Sequence, residues 1–345
     1  MQPAAEVNFV NWRAKPLYRA TYGRVRFFVC AMVACAGLSA LLASWLPLQV
    51  SVVTVFLFAG PHNWFELRYF LQRLPVQFGR SRNFFFTAFA GVAFLTLAYV
   101  SLPVLYNFSL WPGADWSTPI AVWNTLFLLW LGVLVWLRGK LKPRSDWFWG
   151  IPATLSLASL NWVAPELFSL AIVYLHPLVA FWFLDRHLLR TRPAWLSAYR
   201  RCLSLLPVLL VVMCWQLAPS APPADDNGLF WRITQHSGAE LLPSISSHLL
   251  VSIHVFLEML HYAVWLVALP LIGMRGGVWN VKTVPLARHP SGFPRAVTLT
   301  LLLGLFLVGI LWLGFSVDYT TTRDVYFTLA IAHVLAEAPF LLRML

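Results

Sequence analysis

The chain has 345 residues, 59% of them hydrophobic and 11% charged, with 18 Trp, 26 Phe and a net charge of +12. Soluble domains run at about 45–50% apolar and about 25% charged, so this composition, with a mean hydropathy of +0.70, excludes an ordinary soluble domain and points to a membrane protein. The positive charge would suit nucleic acid, but the Lys and Arg fall in alternate loops, which excludes that partner.

The chain opens on "MQPAAEVNFVNWRAKPLYRATYGRVRFF". Its basic stretch is long and no small-residue cleavage site follows a short apolar core, so it reads as a cytoplasmic basic segment, residues 1–26, and not as a signal peptide. A span needs about 20 apolar residues. Ten stretches qualify, near 27–47, 49–70, 84–105, 119–138, 147–163, 166–185, 202–218, 247–273, 296–315 and 324–342. Only "NWVAPE" separates the fifth from the sixth.

Loop charges order these spans. Lys and Arg crowd before the first span and after the second, fourth, sixth and eighth, while "YNFSLWPGADWSTP", "NWVAPE", residues 219–246 and "SVDYTTTRD" are nearly free of them. The positive-inside rule then predicts one all-α, polytopic integral membrane bundle over 1–345, of about ten helices in a lipid bilayer, with both termini cytoplasmic and 219–246 as the long outer loop. The sequence-based expectation for its location is a bacterial inner membrane. Cys30, Cys35, Cys202 and Cys214 show no CxxC spacing and read as small packing residues.

The chemistry lies in the His and Glu. Three Glu fall well inside predicted spans, and each follows a His by four residues: "HNWFE" (His62, Glu66), "HVFLE" (His254, Glu258) and "HVLAE" (His333, Glu337); "HSGAE" (His236, Glu240) repeats the spacing in the outer loop. Nine His in 345 residues put a His at a given position with a frequency of about 2.6%, so six Glu should show about 0.16 such pairs by accident; the chain has four. Residues i and i+4 share a helix face, and "HVFLEMLH" adds His261 to the stripe of His254 and Glu258. His176 contributes an imidazole from the sixth span. The four spans that carry these groups run in one direction, from outside to inside, and the groups fall near a common depth, Glu66 and Glu337 about a turn further in.

A carboxylate at the centre of a membrane helix costs about 2.5–3.5 kcal/mol, so three left ionised and unpaired would cost on the order of 8–10 kcal/mol. A bound divalent metal removes that cost, and nitrogen with carboxylate oxygen suits iron, manganese or zinc. The expected ligands are His62, His176, His254, Glu258, His261 and His333. Glu66 and Glu337 either bind a second metal or accept the remaining ring N–H of a ligand histidine. Gly60 and Pro61 free a carbonyl beside His62. Arg68 is expected to snorkel to the interface, and His187 to join an interfacial cluster with Asp185 and Arg186. HExxH, GxSxG, P-loop and GxGxxG patterns are missing, so zinc proteolysis, serine hydrolysis and nucleotide binding have no support.

"FAGPHNWFE" resembles the PHG-x-x-D element of the bacterial membrane β-carotene dioxygenases, the bacteriorhodopsin-related-protein family, and "HPLVAFWFLDRHLLR" is faintly similar to that family's WH-x-x-RH element. Asn63 stands where the family has Gly, Glu66 where it has Asp, and His176 and His187 are eleven residues apart. The resemblance implies a polytopic protein whose histidines hold a non-haem iron, with His62 as a ligand and His176 beside it. The first reading is therefore a non-haem iron oxygenase acting on a lipophilic, carotenoid- or lipid-like, substrate. The same His and Glu would also serve a proton-coupled transporter or channel, or a haem- or cofactor-binding subunit.

Overall fold

The computed structural model describes residues 14–107, 116–142, 147–221, 228–273, 277, 279–290 and 292–345. Among these residues the regular elements are all helical. In chain order they are α1 (Ala14–Trp45), α2 (Pro47–Arg73), α3 (Arg82–Asn107), α4 (Ser117–Leu141), α5 (Gly150–Asn161), α6 (Pro165–Thr191), α7 (Pro193–Leu203), α8 (Leu205–Leu217), α9 (Leu229–His236), α10 (Ser247–Ala263), α11 (Leu269–Gly273), α12 (Pro285–Arg288), α13 (Pro294–Val317) and α14 (Tyr319–Met344), with short 3₁₀ turns at Gly79–Ser81 and Val281–Thr283.

Among the described residues, eight stretches are long and apolar enough to cross a membrane: α1 from Gly23, α3, α4, α6, α7 with α8, α10 with α11, α13 and α14. Two of the ten expected spans differ. α2 has 27 residues, but Pro61, His62 and Asn63 lower its apolarity. α5 has only 12, about 18 Å of helix against a hydrocarbon core of about 30 Å. Its register shows how the chain makes up the rest. Trp147 packs on Gly139, and fourteen residues later Asn161 Nδ2 donates to Ala121 O at 2.8 Å. The turn and helix together thus retrace α4.

Contacts fix the other directions. Asn124 Nδ2 reaches Pro165 O at 3.1 Å, so α4 and α6 start at one end. They finish together at the other, where Arg138 donates to Leu342 O (2.9 Å) and Arg343 O (3.1 Å) and Arg190 to Met344 O (2.8 Å). These cations satisfy the orphan carbonyls of α14 and suit its negative dipole end. Phe58 meets Tyr262 and Tyr69 meets Trp265; Tyr174 meets His254 and Phe183 meets Trp265; Asn63 meets Tyr326 and Phe70 stacks on Phe340 at 4.2 Å. Hence α2, α6, α10 and α14 are parallel, as the loop charges require. α3 opposes α4 through Trp123→Leu95 O and Trp130→Thr87 O. α13 opposes α2 through Trp64→Leu301 O and Trp312→Phe56 O, and α1 opposes α10, with His248 Nε2 donating to Ser44 O at 2.9 Å. The four indole N–H groups just named each donate to a main-chain carbonyl on another helix, because in lipid an unpaired donor is costly.

The distribution of side chains follows the bilayer. Phe86, Leu97, Trp215, Leu313 and Val317 are exposed outward, where acyl chains would cover them, and small or polar groups fill the contacts. Trp130 lies so close to Gly91 that a Cβ there would fall 1.9 Å from its Nε1. α10 is the most enclosed helix of the bundle. Its last turns open into a π segment, Val264–Ala268, just before Pro270, which has no N–H for the carbonyl of Leu266.

Candidate metal centre

Four parallel helices each place one imidazole at the same level. On α2, His62 Nδ1 lies 3.0 Å from Phe58 O. A carbonyl only accepts, so Nδ1 carries the proton and Nε2 is left with its lone pair. On α6, His176 Nδ1 lies 3.0 Å from Glu337 Oε2, off the ring's N–H line, so that a small side-chain rotation completes a charge-assisted hydrogen bond. His176 Nε2 then faces His333 Nε2 of α14 at 3.0 Å. On α10, His261 is 2% exposed, and neither of its ring nitrogens makes a hydrogen bond of normal geometry.

Ring-centre separations are 5.3 Å for His62–His261, 5.3 Å for His62–His333, 4.7 Å for His176–His261, 4.8 Å for His176–His333 and 6.3 Å for His261–His333. Imidazoles bound to one ion through bonds of about 2.0–2.1 Å place neighbouring nitrogens about 3 Å apart and ring centres about 4.5–6.5 Å apart, by trigonometry on that bond length. Among the described residues, two overlapping groups have ligand atoms within 4.8 Å of one another: His62, His261 and His333; and His176, His261 and Glu337. The donor set is nitrogen-rich, without sulfur, and fits iron, manganese or zinc.

The carboxylates divide. Glu337 belongs to one of the two groups. Glu66 is 1% exposed and neither of its oxygens has a hydrogen-bond partner; one oxygen of Glu337 is also unpaired. Glu258 accepts from Tyr262 Oη at 2.7 Å. His254 and Glu258 line the same cavity, of about 130 Å³, as the four histidines, but neither falls in a ligand group. The reason is axial: His254 and His261 share a stripe, yet seven residues of helix separate them by about 10.5 Å, too far for both to reach one ion.

Several residues take places that the sequence did not indicate. Arg68 does not snorkel: it is fully buried and donates to Asn280 O (3.1 Å) and Thr283 Oγ1 (2.8 Å), tying α2 to the turn before α12. His187 lies away from the cavity, buried, with Nδ1 accepting from Arg73 Nη2 at 2.8 Å; of its expected cluster the Asp185–Arg186 pair is present at 3.8 Å, and Asp185 also takes a bidentate pair from Arg200 at 2.8 and 3.1 Å. His236 of the long loop is carried by α9 into the cavity wall, 5.2 Å from the His254 ring and 4.4 Å from Phe327. Burial, with the Arg323 guanidinium nearby, pushes the His236 imidazole well below its usual range, so it stays neutral at pH 7. Tyr262, Tyr326 and the buried Arg323 complete that end. The repeated His–Glu spacing was the signal available for His236; nothing in the sequence marked the tyrosines. At the basic end Trp265 is wholly enclosed by Tyr69, Phe70 and Phe183.

The chain matches no family model, and no curated protein or solved structure matches it significantly.

Proposed function

We propose that the chain is a membrane-embedded metalloenzyme in which His62, His176, His261 and His333 hold one non-haem iron, and that it oxygenates a lipophilic substrate. The observation that carries this reading is the convergence of four imidazoles from four helices, with two Nε2 atoms 3.0 Å apart. Buried polar groups at that density are stable only with partners, and an ion between the two overlapping ligand groups, which meet at His261, would supply one. Manganese or zinc would fit the same donors. Iron is chosen because ligation by nitrogen donors with open positions matches dioxygen chemistry.

When bound, the ferrous ion supplies binding and activation of dioxygen. The protein's own groups do the rest. The carbonyl of Phe58 and the carboxylate of Glu337 orient His62 and His176 and select the tautomer that turns each Nε2 inward. Trp265, Tyr262, Tyr326 and Phe327 exclude water. The Tyr262 hydroxyl, held by Glu258 at 2.7 Å and carried on a ring 4.7 Å from the His62 ring, is a protic group placed to hold a proton for the reaction. A haem is disfavoured: a cavity of about 150 Å³ accommodates benzene, and a porphyrin is several times larger. The proposed topology is ten crossings with the basic end, and both termini, cytoplasmic.

Metal analysis of the protein purified in detergent tests the reading. One iron per chain without a Soret band, together with oxygen consumption on adding a lipophilic substrate, is the expected result. Protein that holds no metal after reconstitution refutes it and leaves a His/Glu proton relay as the better account.

A further inference from the structure

A second, larger cavity meets the histidine site from the side. It has a volume of about 580 Å³ and lies between α2, α13 and α14. Its rim is formed by Leu307, Ile310, Val325 and Leu329, which are 53%, 48%, 53% and 52% exposed, on the surface that faces acyl chains. From Gly304 to Gly314 it runs about 15 Å along α13. At depth it shares Tyr326, Ala330 and His333 with the histidine cavity. The two spaces therefore share these residues as a common wall, with His333 on both, and the larger one faces the bilayer.

Beside His333, whose Nδ1 is unpaired, the floor carries an amide with one end unsatisfied. Asn63 Nδ2 lies 3.4 Å from Tyr326 Oη, and Asn63 Oδ1 is buried with no hydrogen-bond partner. An amide fits its site in either of two orientations, so the orphan is either the carbonyl or the amino group. Leaving either buried and unpaired costs about 1–3 kcal/mol. A hydroxyl both donates and accepts, so it satisfies the orphan in either orientation. An otherwise apolar pocket with a few placed polar groups is the usual form of a small-molecule site.

We propose that this groove binds a single apolar chain bearing a hydroxyl group, a long-chain alcohol drawn sideways from the bilayer, with its hydroxyl on Asn63 beside His333. The assignment rests on the reading of the histidine cavity as a reaction centre, which it supplies with a substrate class and a route. Groove and cavity are too different in size for the roles to be exchanged: the histidine cavity has room for an ion and a diatomic molecule, the groove for an alkyl or isoprenoid run.

The test uses the full chain in phosphatidylcholine nanodiscs and two photoreactive probes, a straight-chain alcohol and the matching hydrocarbon, each with a mid-chain diazirine. The alcohol should label residues of 304–314 and 325–333 saturably, and excess unlabelled octadecanol should displace it. Leu329→Trp and, separately, Val325→Trp fill the rim from the lipid side and should each abolish saturable labelling. Asn63→Leu should weaken the alcohol about tenfold and leave the hydrocarbon unchanged. Labelling that does not saturate and is equal on the lipid-facing Val211 and Trp215 means ordinary bilayer contact and overturns the proposal, as does equal affinity for the two probes. Neither readout requires bound metal, so metal-free protein would sink the catalytic reading while the groove is still tested.

Discussion

Glu337 offers a sharp test of how the site is held. Its Oε2 is 3.0 Å from His176 Nδ1, while His176 Nε2 is 3.0 Å from His333 Nε2. In the proposed site the carboxylate acts on the ion through His176. Loss of such an orienting partner typically lowers metal affinity about 10–100-fold, or about 1.4–2.8 kcal/mol. Glu337→Gln keeps the volume and a carbonyl able to accept from Nδ1–H, so it should fall at the lower bound, about tenfold. Glu337→Ala leaves the N–H unpaired in a dry interior and should approach a hundredfold. Competition against a chromophoric chelator, titrated with ferrous ion under nitrogen, measures both. Unchanged affinity in both variants would refute the orienting role. Complete loss in Glu337→Gln would mean that the carboxylate binds the ion itself.

Other predictions concern different parts of the structure. His62→Ala, His176→Ala, His261→Ala and His333→Ala should each lose the metal, whereas His254→Ala and Glu258→Gln, outside the ligand groups, should keep it; metal content per chain separates the two sets. Gly91→Ala puts a methyl into the Trp130 indole and should destabilise the α3–α4 contact by about 1–3 kcal/mol, read as an earlier thermal transition in detergent with metal binding retained when cold. Asn124→Leu removes the donor to Asn161 Oδ1 and Pro165 O and should cost about 1–3 kcal/mol by the same assay. Reporter fusions after residue 115 should read outside and after residue 142 inside; the opposite result at either position overturns the orientation.

Much of the architecture was legible because the bilayer imposes it. Apolar run length and alternating loop charge predict an all-helical bundle, and the parallel course of α2, α6, α10 and α14 agrees with the direction those charges assign. Fine structure was not legible. α5 reads as a span near 147–163 by apolarity alone, but its helix is cut to Gly150–Asn161, and only its register on α4 reveals the path. The π segment before Pro270 depends on how the surrounding helices absorb a missing N–H. At the site, periodicity identifies the face and roughly the depth of each His and Glu; it marked His62, His261 and His333, while His176 was picked only by its place in the sixth span. It does not separate groups one or two turns apart, about 5–10 Å, and so it could not tell His261 from His254, or distinguish Glu337, against His176, from Glu258, against Tyr262. Arg68 was misread for a related reason: a cation near a helix end looks the same in sequence whether it reaches water or caps a buried turn.

The central claim is that four imidazoles from four helices bind one ion. X-ray absorption at the iron edge of the reconstituted protein tests it most directly. The account predicts a shell of nitrogen or oxygen neighbours at about 2.0–2.1 Å with the multiple-scattering pattern of about four imidazoles, reduced by one ring in each histidine variant that retains any iron. A spectrum with one imidazole or none, or with sulfur neighbours, would contradict it.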